Sequence, residues 1–484
     1  MKNPYRYVDF WASIAPERIA VADERFHLTY ENLRKFIPRA AYVLKNRGVK
    51  AGDLIALTLP SIYGYVFQIV ANSMGASVMS KLDLNPFPPR IKPDFLLSNS
   101  QNPYFPSTET ILVNQELFDQ ISRSPEIDRL DGFRNDDALC SLFGTSGTTG
   151  GTKYLEVTVD TFRQRTLEPG SDVYHGQGAV YMLLPFGALW ATQHAFRGLV
   201  FGKTYFTFYN TDEQRMAIFG KFPIETIIGS PAQVSKLLDD ADKLGIDLNS
   251  IQSFIVGGDS PTAQLLKRIR EKSTNCKIIN NYGSTEVGGI AHSDVTHGIV
   301  DELILRPWME VEVVDEGDQP LDCGKDGAIR AKSPHMGRRY FQDQEATKKS
   351  FKEGYHYPGD LGRLMENGRL FITGRTDNVL HLSGVKANPE IIEKLVETFP
   401  GVKQCIATEV VNMDSGVKEL GLAIETTPEF KPNELAPWLQ GKELAPVLVY
   451  LNSKLPRTAT GKVMRGVLSD RLMNQEPWLK VMTN

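Results

Sequence analysis

Apolar residues along the first 290 positions follow two alternating spacings. Apolar residues at helical spacing run from Tyr30 to Leu44 and are followed by a short apolar run at 52–60 that is typical of a strand. The same criteria predict strands at 76–81, 138–143, 179–185, 203–209, 226–231, 252–258 and 276–283, and helices at 64–74, 190–199, 231–245 and 263–271. Strands that alternate with helices predict βαβ units and mostly parallel sheets.

The pattern changes near residue 298. Residues 298–373 contain short apolar runs between Gly and Asp turns, which predict antiparallel strands. The last part of the chain is predicted to be a compact α+β unit, with a helix that begins at the N-cap Asn388 and the first-turn Pro389. A chain of 484 residues exceeds the roughly 300 that one core supports, so at least two domains are expected. We predict an α/β fold with a large N-terminal domain of mostly parallel sheets flanked by helices, a β-rich subdomain within it, and a small mobile C-terminal α+β domain.

Composition and charge narrow the class of protein only slightly. Hydrophobic residues (41%) and charged residues (23%) are at ordinary globular levels. A net charge of −4 and a pI near 6.1 give no reason to expect binding to nucleic acid. The four cysteines lack the C-x-x-C spacing of a zinc site, and no apolar run is long enough to span a membrane. With no recognisable signal peptide at the N-terminus, the expected location is the cytoplasm.

The stretch from Phe143 to Lys153 is the strongest chemical signal. It reads FGTSGTTGGTK and holds four glycines and five hydroxyl side chains directly after an apolar run. Glycines let the backbone approach a ligand, consecutive N–H groups bind anions, and Lys153 supplies a cation. The order of residues is not that of a Walker loop. By itself the stretch could also be a flexible linker.

Four further stretches, together with this loop, resemble the motifs of the adenylate-forming superfamily, which comprises acyl- and aryl-CoA synthetases, adenylation enzymes and luciferases. They are NYGSTE at 281–286, YPGDLG at 357–362, GRTD at 374–377 with SGVKANPEIIE at 383–393, and LPRTATGK at 455–462. The five motifs occur in the family's order, and the resemblance covers the whole chain. The resemblance implies residues 1–374 as an adenylation domain, 375–377 as a hinge at Asp377, and 378–484 as a mobile domain.

The resemblance also implies a role for individual residues. Thr285, Glu286 and Lys462 would be catalytic, with Thr285 on the α-phosphate, Glu286 on Mg²⁺ and Lys462 on the carboxylate and α-phosphate. Tyr282 would stack on adenine, and Asp360 would accept from the ribose hydroxyls with Arg375 nearby. Contacts with ATP or AMP would come from Thr145, Ser146, Gly147, Thr148, Thr149, Gly150, Lys153, Gly258, Asp259, Tyr282, Gly283, Ser284, Asp360 and Arg375. After hinge rotation, the loop at Gly384 would face an incoming thiol.

The acid to be activated is less well defined by the sequence. The resemblance points to a pocket formed by Phe186, Trp190, His194, Gly229, Gly257 and Asn281, although each aromatic residue and His194 could instead belong to the core. Amino-acid-activating relatives place an Asp early in the segment 185–197, and none occurs here. We therefore expect a fatty or aryl acid rather than an α-amino acid.

The expected reaction uses ATP and Mg²⁺ and ends in a thioester. The resemblance implies an AMP-forming ligase that passes the acyl group to coenzyme A or to the phosphopantetheine of an acyl carrier protein. A luciferase-like adenylate oxygenase and a non-catalytic nucleotide-binding protein are the alternatives. Two departures from the family's loop, Thr152 and Tyr154, have no explanation from the sequence.

Overall fold

The computed structural model describes most of the chain. The described residues are 1–80, 91–100, 108–145, 152–167, 179–298, 301–376, 378, 380–382, 385–411, 418–442, 444, 447–452, 454–457, 463–472 and 475–481, with the backbone alone at 381–382, 385–386, 411, 418 and 470. No helix in these ranges is long and apolar enough to cross a membrane.

The described elements alternate along the chain. The helices are α1 (Tyr5–Ile14), α2 (Tyr30–Asn46), α3 (Ser61–Met74), α4 (Gln115–Arg123), α5 (Val159–Leu167), α6 (Leu189–Phe201), α7 (Pro231–Leu244), α8 (Ala263–Lys272), α9 (Gln344–Ser350), α10 (Pro389–Val396), α11 (Pro432–Gly441) and α12 (Arg465–Leu472). The strands of the first half are β1 (Ile19–Ala22), β2 (His27–Thr29), β3 (Leu54–Thr58), β4 (Ser77–Ser80), β5 (Phe95–Ser98), β6 (Glu109–Leu112), β7 (Leu139–Thr145), β8 (Lys153–Thr158), β9 (Ala179–Met182), β10 (Tyr205–Phe206), β11 (Ile224–Gly229), β12 (Ser253–Gly257) and β13 (Lys277–Ser284). Those of the second half are β14 (Gly288–Asp294), β15 (Glu302–Leu305), β16 (Glu310–Val314), β17 (Gly327–Lys332), β18 (Phe351–Lys352), β19 (Tyr355–His356), β20 (Asp360–Leu364), β21 (Leu370–Arg375), β22 (Leu380–Leu382), β23 (Val385–Ala387), β24 (Val402–Val411), β25 (Lys418–Thr426), β26 (Val447–Asn452) and β27 (Leu479–Val481).

Two sheets form the N-terminal part. One has the order β6-β5-β3-β4-β7-β8 and is parallel except for the last pair. In the other, β1, β10, β9, β11, β12 and β13 are parallel neighbours, and β14 and β15 continue it antiparallel into the β-rich region. The predicted α/β class with parallel sheets and a β-rich subdomain is therefore confirmed.

The main apolar cluster contains residues of both sheets and of helix α3. Helix α3 is buried along almost its whole length, and Tyr65 and Phe67 are fully enclosed. Such all-round burial explains why this helix reads as nearly continuous apolar sequence rather than as an amphipathic stripe. Helix α7 begins directly after β11 because the Ser230 side chain and Gln233 form a capping box with the backbone. The same cap sets the direction in which the chain leaves β11.

The segment after the glycine loop contains two elements that were not predicted. Lys153–Thr158 forms β8, which returns antiparallel to β7, and α5 follows immediately. Tyr154, Leu155 and Val157 are buried. Helix α5 has few apolar positions, so periodicity gave little signal for it.

The C-terminal residues form a four-stranded sheet in the order β24-β25-β26-β27 with α10, α11 and α12. In the described ranges, each apolar cluster draws its residues from one side of 375–377 only. The division into two domains stays a prediction that this separation supports. Where the two parts meet, the Asn388 side chain donates to the carbonyl oxygen of Thr373 at 2.5 Å. A Cβ at Gly374 would lie 2.3 Å from that amide, so a larger residue would displace the Asn388 side chain.

Candidate active site

The carboxyl ends of three adjacent parallel strands bring candidate residues together. Gly229 ends β11, Gly257 ends β12, and Asn281 lies beside Gly257 in β13. The indole of Trp190, on α6, closes against this edge: a Cβ at Gly257 would lie 3.1 Å from the Trp190 ring and 2.7 Å from the Asn281 carbonyl oxygen. Ligands in open α/β sheets bind at this edge. Trp190, Gly257 and Asn281 therefore lie together at the expected place for an acid pocket.

The other predicted pocket residues, Phe186, Gly229 and His194, have different surroundings from Trp190, Gly257 and Asn281. Phe186 is buried in the main core, with its ring 5.8 Å from that of Tyr65. A Cβ at Gly229 would lie 3.0 Å from the Leu183 side chain, so the space beside this glycine is filled by Leu183. His194 lies one helical turn from Trp190, with ring centroids 5.9 Å apart. Burial lowers the pKa of His194 to about 3, so its imidazole is neutral at physiological pH.

Arg165 fixes the turn that carries Thr285 and Glu286. Its side chain extends from α5, is 4% exposed, and donates to three backbone carbonyl oxygens. The acceptors are His335 at 2.6 Å, Thr285 at 2.8 Å and Glu286. Charge-assisted hydrogen bonds of this kind are stronger than neutral ones. The turn between β13 and β14 is thus held from outside the hairpin.

The carboxylate of Glu286 is nearly buried and has two protein neighbours. Tyr340 donates its hydroxyl hydrogen to one oxygen at 2.7 Å, and His356 Nε2 lies 3.6 Å from the other. His356 Nδ1 lies 3.0 Å from the Ser350 carbonyl oxygen, which requires a proton on Nδ1. Burial lowers the pKa of His356, which favours the neutral imidazole.

The donor set at Glu286 suits Mg²⁺. The described residues contain no group of three His, Cys, Asp or Glu side chains that could hold a metal by themselves. One carboxylate completed by substrate phosphates and water is the arrangement that Mg²⁺ favours. Glu286 would supply that carboxylate.

Asp360, the first residue of β20, has partners on two other strands, β13 and β21. Tyr282 donates its hydroxyl hydrogen to one oxygen at 2.5 Å, and Arg375 Nη1 donates to the other at 2.9 Å. Strand pairing of β20 with β21 places Asp360 opposite Arg375, which explains their proximity. Burial, and then the nearby Asp360 charge, raise the pKa of Tyr282, so the phenol stays protonated. The three predicted nucleotide residues thus form one cluster.

The glycine loop is rooted in the β7–β8 ladder. Thr145 pairs with Lys153 across it, and Lys153 Nζ lies 5.4 Å from the centroid of the Tyr340 ring. Tyr154 is buried among apolar residues, close to Gly144. The departure at Tyr154 is therefore explained by core packing.

Other predicted site residues fall into two groups. Gly283 and Ser284 lie in the same hairpin as the Thr285–Glu286 turn, and Gly258 and Asp259 follow β12 in an exposed turn. Ser146, Gly147, Thr148, Thr149, Gly150, Asp377, Gly384 and Lys462 lie outside the described residues.

Sequence reasoning missed three residues that shape this site. Arg165, Tyr340 and His356 contact the Thr285–Glu286 turn or the Glu286 carboxylate. They come from elements far apart in the chain. One signal was present: His356 directly precedes the YPGDLG motif.

Comparisons with known proteins identify the family of this chain. The family described as AMP-binding enzyme matches residues 97–341. The long-chain-fatty-acid–CoA ligase of Escherichia coli O6:H1 is 26% identical over 52% of this chain, but the match spans only 46% of that protein. The peroxisomal OPC-8:0-CoA ligase 1 of Arabidopsis thaliana is 24% identical over 91% of this chain and 87% of its own.

Solved structures show the same fold. The o-succinylbenzoate CoA synthetase MenE of Bacillus subtilis, in complex with its acyl-adenylate intermediate, superposes with a TM-score of 0.80 at 20% identity and covers 98% of this chain and 99% of its own. The resemblance inferred from the five motifs is confirmed. The chain belongs to the family of AMP-binding enzymes.

Proposed function

We propose that the protein is an AMP-forming acid–thiol ligase. In the first step a carboxylate oxygen of the acid attacks the α-phosphorus of ATP, and pyrophosphate leaves. In the second step a thiol sulfur attacks the acyl carbonyl carbon, AMP leaves, and the thiol proton is lost. The observation that carries the proposal is that Tyr340 contacts both Glu286 and Lys153, while Tyr282, three residues before Thr285, donates to Asp360.

Each group would meet one part of the ATP. Asp360 would accept from the ribose hydroxyls: Tyr282 and Arg375 orient its two oxygens, and a carboxylate has about four lone-pair sites for hydrogen bonds. Lys153 and the glycine loop would hold the β- and γ-phosphates, and Thr285 the α-phosphate. When bound beside Glu286, Mg²⁺ would neutralise charge on the phosphate oxygens. Lys462 would bring a cation to the carboxylate and α-phosphate from the C-terminal domain.

The acid and the acceptor are narrower proposals. We propose a non-amino-acid carboxylic acid, fatty or aryl, bound beside Trp190, Gly257 and Asn281. Coenzyme A is the favoured acceptor because the relatives named above are CoA ligases and a CoA synthetase. Those names also favour a ligase over a luciferase-like oxygenase. A carrier-protein acceptor and a cytoplasmic location stay predictions.

Acid-dependent exchange of pyrophosphate into ATP tests the first step. Exchange with at least one fatty or aryl acid is expected, and none with α-amino acids. Thioester formation with CoA and with a holo carrier protein, measured in parallel, identifies the acceptor. ATP binding without exchange across a broad acid panel would contradict the proposal, and oxygen uptake or light emission would favour the oxygenase.

A further inference from the structure

We propose that Tyr340 is a positioning residue. It contacts both Glu286, the carboxylate that would bind Mg²⁺, and Lys153, the ammonium that would bind the phosphates. The inference rests on the proposed function, which gives those two residues their roles. Tyr340 lies in the turn before α9, where none of the five motifs falls. Its hydroxyl contacts Glu286, and its ring contacts Lys153.

The hydroxyl of Tyr340 orients the carboxylate. It donates to one Glu286 oxygen at 2.7 Å, and both residues are under 8% exposed. A carboxylate with one fixed hydrogen bond in a water-poor site keeps a defined orientation for its remaining lone pairs. Groups that orient a metal ligand in this way commonly change metal affinity by about 10-fold to 100-fold when removed.

The ring of Tyr340 faces Lys153. The ammonium lies 5.4 Å from the ring centroid, within the range of a cation–π contact. Lys153 is the first residue of β8, so its side chain leaves the strand at the root of the glycine loop. The same aromatic side chain therefore limits the positions of the carboxylate and of the ammonium.

Tyr340 is itself fixed by its surroundings. Its backbone N–H donates to Thr347 Oγ1 at 3.0 Å, and it pairs antiparallel with Leu155 of β8. The Phe351 ring packs against it at 5.6 Å between centroids. A side chain that is anchored at the backbone and along the ring can impose its geometry on its neighbours.

Two substitutions separate the two contacts. Tyr340→Phe removes the hydroxyl and keeps the ring, so only the orientation of Glu286 changes. Tyr340→Leu also removes the ring face from Lys153. Tyr355→Phe is the matched control, because Tyr355 also donates its hydroxyl to a carboxylate, that of Glu310, in the same β-rich region.

Divalent-cation binding is measured with the protein in excess over ATP, so that nearly all the ATP is bound and little free ATP competes for the metal. Free Mn²⁺ is followed by its paramagnetic resonance signal, and ATP binding in EDTA by calorimetry. For Tyr340→Phe we expect Mn²⁺ binding about tenfold weaker, with ATP binding in EDTA unchanged. For Tyr340→Leu we expect the same decrease in Mn²⁺ affinity. We also expect its affinity for ATP in EDTA to fall by roughly two- to fivefold. Tyr355→Phe is expected to match the wild type in both measurements.

Melting temperatures of all variants are recorded, and binding is measured well below them. Glu286→Gln is run beside them to test the metal assignment. If Glu286→Gln weakens Mn²⁺ binding and Tyr340→Phe does not, the inference is overturned while the proposed function stands. Unchanged Mn²⁺ binding in Glu286→Gln would instead remove Glu286 as the metal ligand and contradict the proposed function at that point. An equal loss in Tyr355→Phe would also overturn the inference, because the effect would then be general.

Discussion

Replacing Arg165 with lysine tests whether the Thr285–Glu286 turn is held from α5. The guanidinium donates to three carbonyl oxygens, those of His335, Thr285 and Glu286. A lysine ammonium at this position keeps the charge, but its single point of donation reaches one of the three. Each lost hydrogen bond from a charged donor is worth roughly 1.5–3 kcal/mol. Two such losses, partly relieved by water, give an expected cost of about 3 kcal/mol.

The cost should appear at the site as well as in stability. A loss of about 3 kcal/mol in transition-state binding would slow the reaction by roughly 100-fold, so a decrease of 10-fold to 100-fold in acid-dependent pyrophosphate exchange is expected. Arg215→Lys is the control, because Arg215 is equally buried and pairs with Asp240 at 3.2 Å, away from the turn. The control should lower the melting temperature and leave the exchange rate nearly unchanged. Near-wild-type exchange in Arg165→Lys, or an equal loss in the control, would refute the reasoning.

Three further changes test other parts of the structure. Gly257→Ala would place a Cβ 2.7 Å from the Asn281 carbonyl oxygen, so we expect a raised KM for the acid with a smaller change for ATP in steady-state assays. Burial raises the pKa of Glu397 from 4.5 to about 8. The stability that this shift contributes is fully present below pH 4.5 and is lost as the pH rises through 8. Glu397→Gln should therefore raise the melting temperature more at about pH 8 than at about pH 5. Lys462→Ala should slow adenylation by orders of magnitude while thiol transfer from preformed acyl-adenylate persists, and an equal loss of both steps would contradict separate conformations for the two steps.

The strands of the parallel sheets could be predicted from sequence because burial on both faces leaves short apolar runs between turns. The predicted run 252–258 became β12 at Ser253–Gly257, and 276–283 became β13 at Lys277–Ser284. Helix α5 was missed because much of its inward surface is polar: Arg165 and Thr166 are buried there. Only Val159 and Phe162 of its buried residues are apolar, and two buried apolar positions in nine residues give a weak periodic signal.

In the candidate site, residues within short motifs could be predicted from the sequence, whereas contacts between distant parts of the chain could not. Asp360, Tyr282 and Arg375 were recognisable because each lies in a short motif, and the structure brings them into hydrogen-bonding contact. Their mutual distances could not be predicted, since they depend on how β20 and β21 pair and on where β13 ends. Tyr340 carried no local signal, because its partners Glu286 and Lys153 come from other parts of the chain.

The position of Tyr154 links the glycine loop to the core. Tyr154 is 3% exposed and lies beside Gly144, where an added Cβ would meet Thr152 at 3.1 Å and the Tyr154 ring at 3.6 Å. The two strands thus pack closely at the root of the loop, and Thr145 and Lys153 are paired across it. Tyr154, which departs from the family's usual loop sequence, therefore packs within the β7–β8 pair that holds both ends of the loop. Strand β8 also places Lys153 over the Tyr340 ring. The packing of Tyr154 in the core and the position of the Lys153 ammonium therefore depend on the same strand, β8.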